Sequence, residues 1–249
     1  IATVYSWPLN MQSYLRKSFE QQGIKKLELE ELLEEDQRRL ENDMNDLSKR
    51  VEIVADASNT NDIRKNIERL ASIRRELQLK IEIAEGIQSR EKSLEIPQSD
   101  ILSRLENALS AIDPLEKLWK NGRDFMDKVN VWHDNSIVSI NAEDAERTVD
   151  DILRSFTKLS KDFEKAGSSR KAAKDMASAF QLQVKEFVGD SIPLMLLVCN
   201  PGMSERHWKE IEVVSGISVP MNESITMSVL IDLGLQHHCR DIEEICVSA

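Results

Sequence analysis

The chain has 249 residues, a length that allows one or two domains, and its 41% apolar share is enough to bury a core. Charged residues reach 31% while Gly (8) and Pro (6) are scarce, so we predict an all-α fold of long antiparallel helices. The net charge of -11 argues against binding to nucleic acid or to an anionic membrane. No apolar run approaches the roughly 18 residues of a membrane span.

Residues 1–96 carry the pattern of a helical hairpin. Apolar residues recur at steps typical of a coiled-coil seam: Leu33, Leu40, Met44, Leu47, Val51 and Val54. A helix from Lys25 to Val54 would be roughly 45 Å long. A second series follows, with Arg74 interrupting it: Ile63, Ile67, Leu70, Leu77, Ile81 and Ala84. The polar run 56–62 between them predicts a loop that supplies an N-cap.

Residues 97–190 are predicted to form a second helical part, because Pro97, Ser99 and Asp100 mark a break and a new helix start. Pro114 and Gly122 are expected to kink or divide the helix that follows. Its apolar residues keep helical spacing: Ile101, Leu105, Ala108, Ile112, Leu115, Trp119, Met126 and Val129.

Two further helices are predicted before residue 190. Asn141 caps the first, whose buried stripe should comprise Val149, Ile152, Phe156, Leu159 and Phe163 and whose stop is Gly167. The second carries Met176, Phe180, Val184 and Phe187 and is predicted to end at Gly189.

Turn residues become more frequent in residues 191–249, which predicts a compact part built from shorter elements. Turn signals separate these elements: Gly189-Asp190, Asn200-Pro201-Gly202, Ser215-Gly216 and Val219-Pro220. A brief extended stretch over 216–219 is possible, but the pattern does not require a strand pair.

The sequence predicts no catalytic, cofactor or metal site in this segment. No Gly is followed by the Lys-Ser or Lys-Thr of a phosphate-binding loop, and dinucleotide and nucleophile-elbow glycines are missing. His237, His238, Cys239 and Cys246 have metal-ligand types, but ordinary packing is favoured over zinc. His207 near Glu210 fits a structural, hydrogen-bonded histidine better than an acid-base pair.

The acidic run, the hairpin seam and the cysteines each have a plain structural interpretation beside a functional one. The acidic run Glu28–Glu35 is expected to be a solvated face rather than a docking surface for a basic partner. Pairing of the first hairpin with another chain through an exposed seam remains open. The three cysteines, with Cys199 as the third, are expected to be reduced thiols, and the start at Ile1 suggests an excised piece.

The C-terminal part resembles dynein heavy chains at the point where the tail gives way to the linker. The matching blocks are Asn200-Pro201, Arg206-His207-Trp208 with Ile211, and Leu233-Gly234-Leu235. Further likeness lies upstream at Leu115–Trp119 and Phe180–Asp190, and the whole extends over Leu105–Ala249. Ser204 departs from the family, in which a basic residue is frequent at this position.

The resemblance implies a lever without an active site of its own. Residues 1–96 would be a tail or neck hairpin, 97–190 a neck bundle at the start of the linker, and 191–249 the first linker subdomain, anchored by Trp208. The implied partners are the protein's own ATPase ring, which binds ATP and Mg, a microtubule-binding stalk, and intermediate chains, light chains or axonemal docking proteins. The acidic first hairpin looks axonemal, hence ciliary or flagellar, rather than cytoplasmic. A coiled-coil scaffold unrelated to motors is the alternative.

Overall fold

The computed structural model describes the backbone of residues 2–220 and 225–249, with side chains from residue 11 onward. Within these ranges the chain is all-α, as predicted, and contains no β-strand beyond one isolated bridge between Ser136 and Thr226. The helices are α1 (Ala2–Ala55), α2 (Ile63–Leu94), α3 (Ile101–Asp134), α4 (Ala142–Lys165), α5 (Lys171–Val198), α6 (Glu205–Ser215), α7 (Met227–Asp232) and α8 (Cys239–Val247).

The chain divides into two compact units, and α1, α2 and α3 each contribute to both. The first unit comprises residues 1–53 and 70–113, and the second comprises residues 54–69 and 114–249. The functional division at residues 96 and 190 stays a prediction, although residue 190 lies inside the continuous helix α5.

In the first unit α1 and α2 run antiparallel. Their ion pairs show this, since the residue number of the α2 partner decreases as that of the α1 partner increases. These pairs are Asp36–Arg90, Asp43–Lys80 and Arg50–Glu76. Helix α3 joins them through Arg104 with Glu41 at 3.5 Å and through Asp113 with Arg74. The loop between α1 and α2, whose residues belong to the second unit, is also as predicted, since the Asn59 side chain accepts a hydrogen bond from the Asn61 N–H at 3.0 Å.

The seam of α1 is buried at every predicted position, whereas the prediction for α2 was partly wrong. All six seam residues of α1 from Leu33 to Val54 are buried. On α2 Ile67 and Ile81 are only half-buried, and Asn66 and Ile73 are buried in place of Ile67 and Arg74. The other predicted positions of α2 are buried: Ile63, Leu70, Leu77 and Ala84. Arg74 therefore does not interrupt the seam, because Ile73 fills it while the neighbouring guanidinium pairs with Asp113 at the flank of the helix.

A polar layer interrupts the apolar seam between Leu33 and Leu40. Gln37 occupies the intervening seam step, and its Nε2 donates to Glu91 Oε1 at 2.6 Å. Glu91 is 0% exposed, and both of its carboxylate oxygens accept from the backbone N–H of Ser99 at 3.1 Å. The carboxylate thus ties α1 to α2 and closes the turn that leads into α3, with its charge compensated by donors.

In the second unit α4 and α5 form an antiparallel hairpin. The Asn141 side chain caps α4 by accepting from the Asp144 N–H at 3.1 Å, and Gly167 follows the helix with a φ of 84°. The predicted stripe of α4 is buried except for Ile152, which is half-buried. Phe180 of α5 stacks on Phe156 of α4 with ring centroids 5.2 Å apart.

Three predicted helix breakers do not break their helices. Helix α3 continues through Pro114 and Gly122, and α5 continues through Gly189 to Val198. A proline in a helix costs about 3 kcal/mol and a glycine about 1 kcal/mol, while burial of one large aliphatic side chain returns about 1.5–3 kcal/mol. Four buried side chains follow Gly189 in α5, which outweighs the cost of the glycine: Ile192, Leu194, Met195 and Val198.

Gly122 does not divide α3, and the ring of Phe180 packs directly against it. A Cβ atom at this position would lie 2.6 Å from Phe180 Cζ, and Trp119 meets the same ring edge-on at 6.3 Å. We expect Gly122→Ala to destabilise the chain by about 1–3 kcal/mol, because the ring must move within a packed core. Chemical denaturation followed by circular dichroism measures this.

The matched control is Gly189→Ala in α5, where no atom lies within 4 Å of the added methyl group. This substitution should stabilise the chain by about 0.4–1 kcal/mol, since alanine loses less backbone entropy in a helix. If both substitutions stabilised the chain, the close approach of Phe180 to α3 would be wrong.

Candidate functional site

The motif around Arg206-His207-Trp208 forms the N-terminal half of α6, and Ser204 is its N-cap residue. The Ser204 N–H donates to His207 Nδ1 at 3.1 Å, while the Ser204 side chain accepts from the His207 backbone N–H. This is a capping box in which histidine takes the place of the usual Glu or Gln. His207 is buried, so its ring serves the helix start and is not presented to a substrate.

Helix α6 turns its apolar face onto α8. Trp208 is 6% exposed and Ile211 is fully buried, as Ile242 is on α8. The anchor role predicted for Trp208 requires this burial. Arg206 has a largely exposed side chain, whose Nε lies 3.6 Å from Glu210 Oε1 and whose Nη2 lies 2.8 Å from His207 Nε2, so the three motif residues divide between core and surface.

The Asn-Pro-Gly turn before α6 is fastened to the end of α8. Asn200 Nδ2 donates to the Cys246 carbonyl at 3.0 Å, and Asn200 Oδ1 accepts from the Gly202 N–H at 2.9 Å. A Cβ atom on Gly202 would lie 2.1 Å from the Ala249 carbonyl oxygen, so a larger residue here would force the backbone at Ala249 to move. Pro201, which is exposed, presets the backbone of the turn.

The Leu233-Gly234-Leu235 block links α7 to α8. Leu233 ends α7 and is partly exposed, Gly234 has a φ of 83° that favours glycine, and Leu235 is fully buried. Helix α8 follows this block closely and accepts the hydrogen bond from Asn200. The structure therefore brings the Asn200-Pro201 block and the Leu233-Gly234-Leu235 block together through α8.

Sequence reasoning missed the group that joins the blocks, which is the backbone carbonyl of Cys246. The Asn-Pro-Gly sequence indicates an Asx turn, in which Asn200 Oδ1 accepts a hydrogen bond. It does not indicate which group accepts the hydrogen bond from Asn200 Nδ2. From the sequence, Cys246 was considered for its thiol, as a reduced packing residue or a metal ligand, and not for its backbone. Among the described residues no group of three or more His, Cys, Asp or Glu side chains is placed to hold a metal ion.

The three cysteines are free thiols with suppressed acidity. Burial raises the pKa of Cys199 to about 12 and that of Cys246 to about 11, and it also raises the pKa of Cys239. Because the thiolate is the nucleophile, none of the three is chemically activated at neutral pH.

The surface beside the motif carries an open groove of about 720 Å³ along the exposed flank of α6. Its lining combines four charged side chains with three apolar ones: Glu205, Arg206, Lys209, Glu210, Val213, Val214 and Ile245. None of the described helices combines the length and the apolar character needed to cross a bilayer.

Comparison with known proteins places this site in a family. Residues 105–249 match the family described as dynein heavy chain, N-terminal region 2. Similar proteins include dynein axonemal heavy chain 3 of Mus musculus, 26% identical over 190 residues, or 76% of this chain and 4% of that protein. Dynein axonemal heavy chains 2 and 1 of Homo sapiens are each 27% identical, over 63% and 61% of this chain and 3% of each relative.

The match covers more than half of this helical chain and includes the buried motif blocks, which is typical of the N-terminal region of a dynein. The chain belongs to the dynein heavy chain family, as the resemblance predicted. It spans only a few per cent of the length of these relatives.

Replacing Trp208 with Ala should cost about 3–5 kcal/mol of unfolding free energy, because a buried indole is lost and the cavity between α6 and α8 collapses only in part. Urea denaturation of the second unit, followed by hydrogen exchange on α6 and α8, measures the loss. Val213→Ala on the same helix is the control, since Val213 is 83% exposed and should change stability by less than about 0.5 kcal/mol. Equal effects of the two substitutions would refute the anchor role.

Alkylation of Cys199 in the folded chain should have a pH midpoint well above that of the unfolded chain, which should lie near pH 8.5. The direction follows from the pKa of about 12, because burial disfavours the thiolate. The unfolded thiol loses its proton first, so the chain also loses stability as pH rises above about 8.5. Iodoacetamide pulses read by mass spectrometry, with and without urea, test this, and a folded midpoint near pH 8.5 would contradict it.

Proposed function

We propose that this chain is a non-catalytic mechanical segment of a dynein heavy chain that connects the tail to the ATPase ring and forms the first part of the linker. Support comes from the family match over residues 105–249, which contains both motif blocks. ATP and Mg would be bound by the ring, and the microtubule by the stalk, so that this segment transmits force without hydrolysing nucleotide.

The single structural observation that carries the proposal is the continuity of α5. This helix packs against α4 along its first part and against α8 at its end, without a break at Gly189. At a rise of about 1.5 Å per residue it extends for roughly 42 Å. A displacement of α6–α8 would therefore be carried to the α4–α5 hairpin by one continuous helix, which passes through Pro193 and is densely packed around it by Ile192, Leu194 and Met195.

The setting of this motor is proposed from the relatives, which are axonemal heavy chains. The chain would act in the axoneme of a cilium or flagellum, where its heavy chain drives minus-end-directed sliding of microtubules. Intermediate chains, light chains or docking proteins of the axoneme are the proposed external partners of the tail side.

A flexible insertion in α5 tests the lever. Four residues, Gly-Gly-Ser-Gly, are inserted between Asp190 and Ser191 of the heavy chain that contains this segment. The motor should still hydrolyse ATP, but microtubule gliding should slow several-fold, because the joint absorbs the displacement. The control is the same insertion after Gly167, in the loop that already separates α4 from α5.

Equal gliding velocities for the two insertions, with α5 helical on both sides by hydrogen exchange, would overturn the lever role. The second candidate, a coiled-coil scaffold, would then be favoured. One observation supports that candidate, namely the row of exposed apolar side chains on α1.

A further inference from the structure

The outward face of the second half of α4 is a row of lysines. Lys158, Lys161 and Lys165 are all exposed, and their steps of three and four residues place them on one side of the helix. Each lies two positions from a buried phenylalanine, either Phe156 or Phe163, and two positions correspond to about 200° around a helix. The three lysines therefore lie opposite the packed face of α4, and we call them the lysine ridge.

The lysine ridge has no counter-charge within the part of the chain that the structure describes. No carboxylate oxygen there lies within 4.0 Å of its ammonium groups. Asp162, which is half-buried, does not reach them, and Glu164 accepts a hydrogen bond from Lys174 of α5 at 2.8 Å, which lowers the pKa of Glu164. Like charges three or four residues apart on a helix repel each other, so a carboxylate from outside would relieve this repulsion.

The acidic run on α1 differs from the ridge, because its charges are compensated within the chain. Glu30 lies 3.9 Å from Lys26, and Glu35 pairs with Arg39 at 2.5 Å. The whole chain carries a net charge of -11, so cations are the scarcer charge. A row of cations without acid partners is therefore not what the composition alone leads one to expect.

The ridge is short. Arg154 continues the same face one step before Lys158, but its guanidinium lies 3.9 Å from Asp150 and 3.7 Å from Asp151. At the other end α4 stops at Lys165. The uncompensated stretch from Lys158 to Lys165 is therefore only about 10 Å long at the rise of an α-helix.

The surroundings of the ridge select the kind of partner. A helix that binds a membrane surface needs apolar side chains beside its cations, and the apolar side of α4 is buried against α5. A nucleic acid needs a longer basic footprint, whereas the first ten residues of α4 would repel it through five acids: Glu143, Asp144, Glu146, Asp150 and Asp151. Separate lysine ammonium groups, without the planar fork of arginine, suit single carboxylates.

We propose that the lysine ridge is a docking surface for a short acidic segment of another protein, in which Glu or Asp residues recur every three or four positions. Each ammonium group donates a charge-assisted hydrogen bond to one carboxylate. Exposed ion pairs are individually weak, so the three together give salt-sensitive binding that favours the correct partner and speeds association. The proposal does not depend on the lever role.

The first test is the fluorescence anisotropy of a labelled peptide of about fourteen residues, with Glu at every third or fourth position among Ala and Gln. It should bind the whole chain at about 30 mM salt and dissociate at about 300 mM, because salt screens exposed charges. Lys158→Gln with Lys161→Gln and Lys165→Gln should weaken binding by about tenfold or more. Helix content should not change, since the three side chains are exposed.

The matched control replaces three exposed lysines that lie apart from one another: Lys92→Gln, Lys117→Gln and Lys185→Gln. This variant has the same net charge as the ridge variant, so both lose the same long-range attraction for the peptide. Because the ridge is intact in the control, we expect its affinity to stay within about twofold of the wild type.

The second test locates the peptide on the chain. A water-soluble carbodiimide joins a carboxylate to an amine in contact with it, with loss of water, and an acetylated peptide without lysine can couple only through its own carboxylates. Mass spectrometry should find the peptide on Lys158, Lys161 and Lys165 well ahead of the three control lysines.

Absence of peptide binding at low salt would overturn the proposal, as would equal losses in the ridge and control variants or coupling spread evenly over all exposed lysines. Tighter binding of a short oligonucleotide or of phosphatidylserine vesicles through the same three lysines would also refute it, since the partner would then belong to another class. None of these measurements involves microtubule gliding, so their failure leaves the lever proposal untouched.

Discussion

The packing of Phe180 against α3 and α4 sets the spacing of the second unit. Its ring stacks on Phe156, meets Trp119 edge-on, and lies against the backbone of α3 at Gly122. Aromatic contacts of this geometry add about 0.5–1.5 kcal/mol beyond the burial of area. A side chain at position 122 would push α3 from α5, so the close approach depends on a missing Cβ atom as much as on the aromatic rings.

Elements whose limits are set by local chemistry were predicted well from the sequence. The loop at 56–62 and the Asn141 cap depend on side chains that bond to nearby backbone groups, and the Gly167 stop depends on a φ of 84° that favours glycine. The structure has each of them. Gly189 and Pro114 were interpreted by the same local rules; the helix end predicted at Gly189 was wrong, and Pro114 does not divide α3, while a kink there stays a prediction. Their helices continue because distant side chains bury the residues on either side, which no local pattern contains.

The candidate site divides in the same way. The turn at Asn200 and the helix start at Ser204 follow from residue type, and the departure of Ser204 from the family's basic residue still leaves a good N-cap. The hydrogen bond from Asn200 to the Cys246 carbonyl spans 46 positions, so its partner could not be predicted. The missing information was the placement of α8, which depends on burial of Ile242 and Leu235.

In the first unit the buried polar layer of Gln37 and Glu91 contributes to the register of the helices more than to stability. Replacing Gln37 and Glu91 by well-packed apolar residues would cost the fold little, since buried polar pairs contribute modest net stability. Their effect is on register. If α1 slipped by one heptad, Glu91 would face either Met44, which cannot donate a hydrogen bond, or Glu30, which repels it. For the proposed lever role, one fixed register matters more than additional stability, and a buried carboxylate that accepts from Gln37 and from the Ser99 N–H fits only one register.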